Sequence, residues 1–309
     1  MTRKCRCGKR IVIFRKYEGR GLCRYHFIRS VEEKAKKTIS KYYSVGRNET
    51  IAVGVSGGKD STALLLLLHR IFGKRTDIRM FAISIDEGIP GYRDESLQIA
   101  KKLCKKLGIK HHIFSFKEEF GKPLHEKVKN IRKKKEGGPC TYCGVGRRYL
   151  LNRKSRELGA TRLALGMNLD DEIQGILMNY MRGDLIRLSR MGGHVVKDSL
   201  FVPRIKPFRE IPEKEVGLYA FLNSLEIQED ECPLLEGPRF KVRDFLNELE
   251  SESPGTKFSI IKSYDRLLPS LRKGMKTGGY MVDKCTKCRE PTSSQKVCKT
   301  CELWNINQI

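Results

Sequence analysis

Long apolar runs are missing from this sequence. Its longest aliphatic run covers residues 63–68, whereas a membrane-spanning helix needs about 20 consecutive apolar residues. The N-terminal segment MTRKCR is basic, but it leads into no apolar segment or cleavage site typical of a signal peptide. No long basic amphipathic helix offers an apolar face to lipid either. We therefore expect a cytoplasmic protein without a membrane partner.

Acidic residues are also scarce. The 309 residues include 62 Lys and Arg but only 36 Asp and Glu, a net charge of +26. Residues 1–50 alone carry 15 Lys and Arg against 4 Asp and Glu. Such an excess attracts polyanions, so the charge favours nucleic acid as a partner. Other basic stretches are residues 127–135 and a second region with Arg182, Arg187, Arg190, Arg204, Lys206 and Arg209.

The 11 cysteines are an odd number and mostly come in close pairs. This pattern favours metal ligands over a disulfide framework. Near the C-terminus, two C-x-x-C pairs predict a tetrahedral zinc site on Cys285, Cys288, Cys298 and Cys301. The N-terminal zinc candidates are Cys5, Cys7, Cys23 and His26, although the spacing between Cys5 and Cys7 is one residue shorter than in a usual C-x-x-C pair. Cys104 follows Leu103 in an amphipathic pattern and is predicted to be a core residue.

Between these cysteine modules, predicted strands alternate with predicted helices. The strands are residues 51–55, 79–85, 110–116 and 162–165. The helices are residues 31–43, 62–72, 94–107, 118–135 and 170–181, then 211–225, 242–250 and 257–268, the last ending before Pro269. This alternation predicts an α/β fold whose parallel sheet carries helices on both faces.

The segment Ser56-Gly57-Gly58-Lys59-Asp60-Ser61 joins the first strand to its helix. Glycines let backbone N–H groups approach an anion, and the helix N-terminus and Lys59 add positive charge. The segment is not a Walker loop, because Val53 occupies the position of the first glycine and Asp60 follows the lysine. A turn without a ligand is the alternative, but the combination of these residues in this context favours phosphate binding.

Three cysteines and an acidic pair form a second group. Cys140 and Cys143 have C-x-x-C spacing after a Gly-Gly-Pro turn and before a predicted helix, and Cys232 lies far along the chain. Two such thiolates bind metal or sulfur readily, and a distant third can complete the site. Asp170 and Asp171 open a helix after the fourth strand, where acidic residues often only complement the helix dipole. Buried, unreactive thiols are the corresponding alternative for the cysteines.

The glycine-rich segment resembles the PP-loop of N-type ATP pyrophosphatases. Together with the three cysteines, Arg182-Gly183-Asp184 and the terminal cysteine modules, it resembles the tRNA 2-thiolation enzymes of the TtcA/TtuA family, in the branch of the archaeal and eukaryotic cytosolic 2-thiouridine synthetases. The resemblance implies a HUP-type sheet, ATP with Mg²⁺, two Zn²⁺ and a [4Fe-4S] cluster. It also implies a homodimer. Arg147 stands where a relative has a catalytic lysine, and arginine does not act as a base at neutral pH.

The resemblance implies a role for each matching residue. ATP binding falls to Gly54, Ser56, Gly57, Gly58, Lys59, Asp60, Ser61, Ile85, Asp86 and Gly166, with Asp60 also near Mg²⁺. The cluster ligands are Cys140, Cys143 and Cys232, and the catalytic residues are Cys140, Cys232, Asp171 and Lys59. The zinc modules display cations for phosphate contact: Arg6, Lys9, Arg10, Arg15, Lys16, Lys284 and Lys287.

We therefore expect five segments: an N-terminal zinc finger (1–30), a basic helix (31–48), a PP-loop catalytic domain with the Fe-S site (49–240), a helical extension and linker (241–279) and a zinc ribbon (280–309). The expected activity is ATP-dependent 2-thiolation of a tRNA uridine, with the anticodon wobble uridine favoured. The sulfur donor is free sulfide or a ubiquitin-like carrier protein. The alternatives are T-loop uridine or cytidine as the target, a cluster-free persulfide route, an enzyme that forms an amide or lysidine, and a nonenzymatic zinc-ribbon RNA-binding protein.

Overall fold

The computed structural model describes residues 4–132, 138–192, 200–235, 237, 239–276, 283–292 and 296–306. Its strands are β1 Ile13–Arg15, β2 Arg20–Leu22, β3 Glu49–Gly54, β4 Ile78–Asp86, β5 Lys110–Ser115, β6 Arg162–Ala164, β7 Arg204–Ile205, β8 Asp283–Lys284 and β9 Pro291–Thr292. Its helices are α1 Arg24–Tyr42, α2 Lys59–Phe72, α3 Arg93–Leu107, α4 Phe116–Phe120, α5 Leu124–Arg132, α6 Pro139–Glu157, α7 Leu169–Met181, α8 Leu185–Ser189, α9 Glu213–Leu222, α10 Arg239–Glu252, α11 Thr256–Lys276 and α12 Lys299–Trp304.

The central sheet has the strand order β5-β4-β3-β6-β7, and all its pairings are parallel. The predicted parallel α/β sheet is therefore confirmed. Ile51, Ala52 and Val53 of β3 are fully buried, as expected for a strand covered on both faces. The carboxyl ends of β3, β4 and β6 meet at one edge, where open α/β sheets bind their ligands. β7 escaped prediction because a strand of two residues carries no periodic signal.

Successive side chains of the sheet enter two different core layers, as strand geometry requires. Ile51 and Val53 join the layer formed mainly with α1, α2 and α9, which also contains Cys104 as predicted. Ala52 and Ile83 join the layer that packs against α6 and the C-terminal cysteine module. The sheet thus separates the N-terminal and C-terminal cysteine modules.

Helix α6 was recognised in the sequence only as a helix start after Cys143. It is a 19-residue helix that begins at Pro139 and contains both Cys140 and Cys143. Tyr142, Leu150 and Asn152 are all buried, so the helix is covered on more than one side. A helix of this kind lacks the one-sided apolar pattern on which sequence prediction relies.

Two predicted boundaries in the first half of the chain are wrong. Helix α1 begins at Arg24, directly after Cys23, so the expected segment boundary at residue 30 falls inside the helix. The helix expected over 118–135 is two helices, because Gly121 adopts φ +75° and Pro123 follows it.

The expected helix end before Pro269 is also wrong, because α11 continues through the proline to Lys276. Tyr264 and Leu268 are buried beside Leu188 of α8. This packing outweighs the backbone hydrogen bond that the proline removes. Helix α11 therefore runs into the linker that was expected at the end of segment 241–279, and residues 277–279 lie outside the described residues. Across the described part of the chain, no helix is long and apolar enough to cross a membrane.

Candidate active site and cysteine clusters

The glycine-rich loop follows β3, and α2 begins at Lys59 with Gly58 as its N-cap. Gly57 has φ +86°, and a Cβ there would lie 2.2 Å from the carbonyl oxygen of Ser96. Only glycine fits this position, because the backbone of α3 is too close. The Ser56 N–H donates to Ser61 Oγ at 3.0 Å, which folds the loop back over the helix N-terminus. The loop thus presents the geometry of a backbone anion site.

Lys59 lies between two carboxylates in this structure. Its Nζ is 2.7 Å from Oε1 of Glu213 and 3.1 Å from Oδ2 of Asp60. Burial opposes the charge of Lys59, but Asp60 and Glu213 outweigh it and raise its pKa. Asn168 Nδ2 donates to the other oxygen of Asp60 at 3.1 Å. Glu213 was missed in the sequence, because an acidic residue at a helix start ordinarily signals only dipole complementation.

A cavity of about 830 Å³ opens beside this loop. Its walls include seven of the ten predicted ATP residues, namely Gly54, Ser56, Gly58, Asp60, Ser61, Ile85 and Gly166, but not Gly57, Lys59 or Asp86. Gly166 is needed as glycine, because a Cβ would lie 2.8 Å from the Asp60 carbonyl oxygen. The Asp86 carboxylate accepts the Gly88 N–H at 2.8 Å and holds the turn after β4. The strand ends therefore bring the predicted nucleotide residues together.

Asp171 lines the same cavity and has a structural role as well. It forms a capping box with Asn168 at the start of α7. The backbone N–H of Asp171 donates to Asn168 Oδ1 at 3.0 Å, and the backbone N–H of Asn168 donates to Asp171 Oδ2 at 3.2 Å. Asp171 Oδ1 accepts from Arg239 Nη2 at 2.5 Å. Burial nevertheless raises the pKa of Asp171 to about 6. Asp170 instead pairs with Lys257 and accepts the Glu213 N–H at 2.7 Å, so it ties helices together.

A buried carboxylate connects the nucleotide loop to the cysteine helix. Glu87 is 2 % exposed and lies 2.8 Å from Arg93 Nε and 2.7 Å from Arg147 Nε. Arg93 also donates to the carbonyl oxygen of Ser56 at 2.7 Å. Arg147 in turn donates to Cys143 Sγ at 3.1 Å. The sequence did not single out Glu87 or Arg93, because charged residues after a strand usually belong to a solvated turn.

The three central cysteines come from two elements that meet. Cys140 and Cys143 lie one turn apart on α6, and Cys140 Sγ is 3.8 Å from the carbonyl oxygen of Leu234, two residues beyond Cys232. Burial raises the pKa of Cys143 to about 11, against the opposing effect of Arg147. Among the described residues, only the two terminal sets bring three or more ligand atoms within 4.8 Å of one another. The central thiols are more widely spaced, which fits ligands to separate irons of a cluster better than ligands to one ion.

The C-terminal set gathers as predicted. Cys285 Sγ lies 3.8 Å from Cys301 Sγ, and Cys288 Sγ lies 3.7 Å from Cys298 Sγ. Burial opposes ionisation of Cys285, but backbone N–H donors led by Cys298 outweigh it and lower its pKa to about 6. Four thiols at this separation fit one tetrahedral ion.

The N-terminal set also gathers, despite its short C-x-C spacing. His26 Nδ1 lies 3.3 Å from Cys5 Sγ and 3.4 Å from Cys23 Sγ, and Cys7 Sγ lies 3.7 Å from Cys23 Sγ. Hydrogen bonds from the backbone of Cys7 and Cys23 lower the pKa of Cys5 to about 6. The arrangement supplies three sulfur ligands and one nitrogen ligand to a single ion.

The C-terminal module packs directly on the start of α6. Trp304 Nε1 donates to the carbonyl oxygen of Tyr142, between the two helix cysteines, at 3.4 Å. Its ring stacks on Phe120 with a centroid distance of 4.6 Å. A Cβ on Gly146 would lie 2.9 Å from Phe116 and 3.2 Å from Trp304 Nε1. The module therefore supports the cysteine helix, a role that the sequence did not reveal.

Part of the predicted basic surface is buried. Arg209 is fully buried between Glu172 and Asp265, and Lys206 Nζ lies 2.6 Å from Glu172 Oε1. Arg15 is 1 % exposed and lies 2.6 Å from the Glu215 carboxylate. The expected phosphate contact by Arg15 is therefore wrong, because this side chain anchors the N-terminal module to α9. Residues 133–135 of the first basic run lie outside the described residues.

The PP-loop domain family matches residues 29–246. The tRNA 2-thiolation protein NcsA of Haloferax volcanii is 36 % identical over 96 % of this chain and 97 % of its own length. The tRNA-5-methyluridine(54) 2-sulfurtransferase of Pyrococcus horikoshii is 33 % identical over 99 % of this chain and 94 % of its own length.

A solved structure agrees over the whole chain. The U34-tRNA thiolase NcsA from Methanococcus maripaludis, described with its [4Fe-4S] cluster, superposes with a TM-score of 0.85 and 35 % identity, covering 100 % of this chain and 98 % of that one. The chain therefore belongs to the PP-loop family and, within it, to the tRNA 2-thiolation proteins.

Proposed function

We propose that this protein is an ATP-dependent tRNA uridine 2-sulfurtransferase. The observation that carries the proposal is one cavity that reaches from the PP-loop to the cysteine helix. Ser56 and Gly58 border it on one side, and Gly144 and Arg147, next to Cys143, border it on the other. A base in this cavity would be within reach of both an activated phosphate and a sulfur site.

The first reaction is activation of the uracil C2 oxygen. This oxygen attacks the α-phosphorus of ATP, and pyrophosphate leaves towards the N-terminus of α2. The loop N–H groups and Lys59 stabilise the negative charge of the departing phosphates. Phosphate oxygens would then compete with Asp60 and Glu213 for Lys59, and this frees Asp60 for Mg²⁺, which prefers oxygen ligands. Asp171, with its pKa of about 6, is proposed to take part in proton transfer at the cavity wall.

The second reaction replaces the activated oxygen with sulfur, and AMP leaves. Cys140, Cys143 and Cys232 would hold a [4Fe-4S] cluster, whose chemistry is Lewis-acidic binding of sulfide. Arg147 orients Cys143 through its hydrogen bond to the sulfur, and Glu87 holds Arg147 in turn. The sulfur comes from free sulfide or from the thiocarboxylate of a ubiquitin-like carrier protein. In the persulfide alternative, the donor is instead another persulfide, which passes its outer sulfur to Cys140. The Cys140 persulfide attacks C2 as AMP leaves, and Cys232 then attacks Cys140 Sγ, which releases 2-thiouridine and leaves a Cys140–Cys232 disulfide for an added thiol to reduce.

The remaining assignments extend this proposal. The terminal cysteine sets would each hold Zn²⁺, because sulfur and imidazole nitrogen are its usual ligands. The target is the wobble uridine, U34, and the similarity of this chain to the U34-tRNA thiolase of Methanococcus maripaludis supports this assignment. The protein works in the cytoplasm.

We also propose a homodimer. An apolar groove between α7, α8 and α11 supports it, since Tyr180 is 70 % and Leu267 66 % exposed there. Light scattering after gel filtration measures the mass, and a monomer at micromolar concentration would exclude the dimer.

The test is thiolation of unmodified tRNA by anaerobically reconstituted protein. ATP, Mg²⁺ and sulfide are supplied, and nucleosides are identified and mapped to position by mass spectrometry. We expect 2-thiouridine at the wobble position together with AMP formation that depends on tRNA. Thiolation only in the T-loop would correct the target, and thiolation at a cytidine would correct the base.

Cys140→Ala is the key variant, and Cys104→Ala is its matched control because Cys104 is buried in α3, away from the cavity. The proposal is supported if Cys140→Ala loses thiolation while Cys104→Ala retains it. Full tRNA-dependent AMP formation in both variants without any 2-thiouridine points to amide or lysidine synthesis. No ATP turnover in the parent protein points to a nonenzymatic RNA-binding protein. Full activity without iron, measured with a persulfide donor and a thiol reductant in place of sulfide, favours the persulfide route.

A further inference from the structure

Six cationic side chains line the cavity, and they differ in their partners. Arg93 and Arg147 pair with Glu87, and Lys206 pairs with Glu172. Arg190 also lines the wall and has an interaction of its own. The other two are Arg148 and Arg204.

Arg148 and Arg204 have no acidic partner among the described residues. Arg148 lies on α6, and Arg204 lies in β7. Burial lowers the pKa of Arg204, and the neighbouring charge of Arg148 lowers it further. Arg148 is exposed at the cavity wall, and Arg204 is partly buried there. Two guanidinium groups from separate elements thus line one cavity without a carboxylate in the described part of the chain to neutralise either of them, an arrangement that a bound anion would stabilise.

The position of the pair separates it from the ATP phosphate loop. β7 is two strands away from β3 in the sheet, which places it about 10 Å to the side, since neighbouring strands lie about 4.8 Å apart. The loop has its own cation, Lys59, and its own N–H donors for the ATP phosphates. The arginine pair lies on the other side of the cavity, where a polynucleotide that inserts one base would keep its backbone.

We propose that Arg148 and Arg204 together bind one phosphodiester group of the RNA next to the nucleotide whose base enters the cavity. This inference rests on the proposed tRNA substrate. Arginine suits the task because its planar fork matches two phosphate oxygens. The pair would hold the backbone while the target base leaves its stack, a step that base-modifying enzymes require.

Arg148→Gln and Arg204→Gln test the proposal, with Arg79→Gln as the matched control. Arg79 is exposed and lies near the amino end of β4, at the opposite edge of the sheet. The Kd of tRNA is measured by fluorescence anisotropy at several salt concentrations without turnover, and the Kd of ATP is measured separately. Circular dichroism checks that each variant is folded.

We expect each cavity variant to weaken tRNA binding about tenfold, the low end for a hydrogen bond to a charged group. The slope of log K against log salt should stay nearly unchanged in each single variant, because the remaining arginine still neutralises the shared phosphate. In the double variant the slope should fall by about 0.7 to 0.9, the value of one phosphate contact. Affinity for ATP should stay unchanged, and Arg148→Lys should keep the salt slope but lose affinity.

Two results would overturn the inference. Weakened ATP binding with normal tRNA binding would assign the pair to the nucleotide phosphates. Unchanged binding of both ligands would remove the site altogether. Because these measurements need no turnover, their failure is distinct from failure of the proposed function, which would show as absent 2-thiouridine in the parent protein.

Discussion

Glu87→Gln removes the charge that joins the nucleotide loop to the cysteine helix while preserving the shape of the side chain. Glu87 and Arg93 have side chains that are 3 % and 6 % exposed, so the substitution leaves Arg93 as a buried, unpaired cation. Breaking such a buried pair costs about 3 to 5 kcal/mol. Arg93 keeps hydrogen bonds to the carbonyl oxygens of Ile85 and Ser56, so the low end applies. Arg147 is 47 % exposed, and its pair with Glu87 adds at most about 1 kcal/mol.

The expected loss is therefore about 3 kcal/mol in the free energy of unfolding. It is measured by urea denaturation at constant zinc loading, from the midpoint at an unchanged m-value. Glu248→Gln is the control, because Glu248 is exposed on α10 and should change stability by less than about 0.5 kcal/mol. A loss for Glu87→Gln no larger than that of the control would refute the idea that this carboxylate holds the two halves of the site together.

Three other measurements follow from the structure. Gly57→Ala should lower ATP affinity at least about tenfold, because the new Cβ meets the Ser96 backbone at 2.2 Å. Gly108→Ala is the control, because Gly108 also has a positive φ but lies in open space, and it should leave ATP affinity unchanged. Equal ATP affinity in both variants would exclude the close approach. Zinc removal should shift the fluorescence of Trp304, the only tryptophan, to longer wavelength as the C-terminal module leaves α6; unchanged emission in zinc-free protein would contradict that packing. Burial lowers the pKa of His111 to about 4, below the unfolded value of about 6.5, so its contribution to stability is complete above pH 6.5 and is lost as the pH falls towards 4. Urea unfolding of His111→Gln should accordingly show a smaller loss between pH 7 and pH 5 than the parent protein, and parallel losses would count against it.

The physical basis of the last prediction is an unpaired nitrogen. Ser84 Oγ lies 2.5 Å from the carbonyl oxygen of Val55 and 2.7 Å from His111 Nε2, so its proton goes to the carbonyl and Nε2–H donates to Ser84. His111 Nδ1 is buried without a hydrogen-bond partner among the described residues. Protonating it would place an unpaired charge in the core, which folding resists.

Prediction from sequence worked where the signal is local. The parallel sheet follows from alternating apolar strands and amphipathic helices, and the PP-loop follows from the glycines and Lys59 between them. Both terminal cysteine sets follow from ligand spacing. It failed where buried contacts override local preference, as in α11, which continues through Pro269. It also failed in α6, because a helix that is buried on several sides shows no single periodic face of apolar residues. Arg15 and Arg209 seemed to be surface cations because their carboxylate partners, such as Glu215 and Asp265, lie far away in the chain.

The family, the glycine-rich PP-loop and the two terminal cysteine groups are recognisable without any structure, because each depends on residue types at short, fixed spacing. The scarcity of acidic residues likewise pointed to a polyanion partner without any structure. Folding, in contrast, sets which cations are available to that partner. It buried Arg209, paired Arg147 with Glu87 and left Arg148 and Arg204 facing the cavity. Charge is a property of composition, but whether a charge is neutralised depends on which distant carboxylate folding brings within a few ångströms.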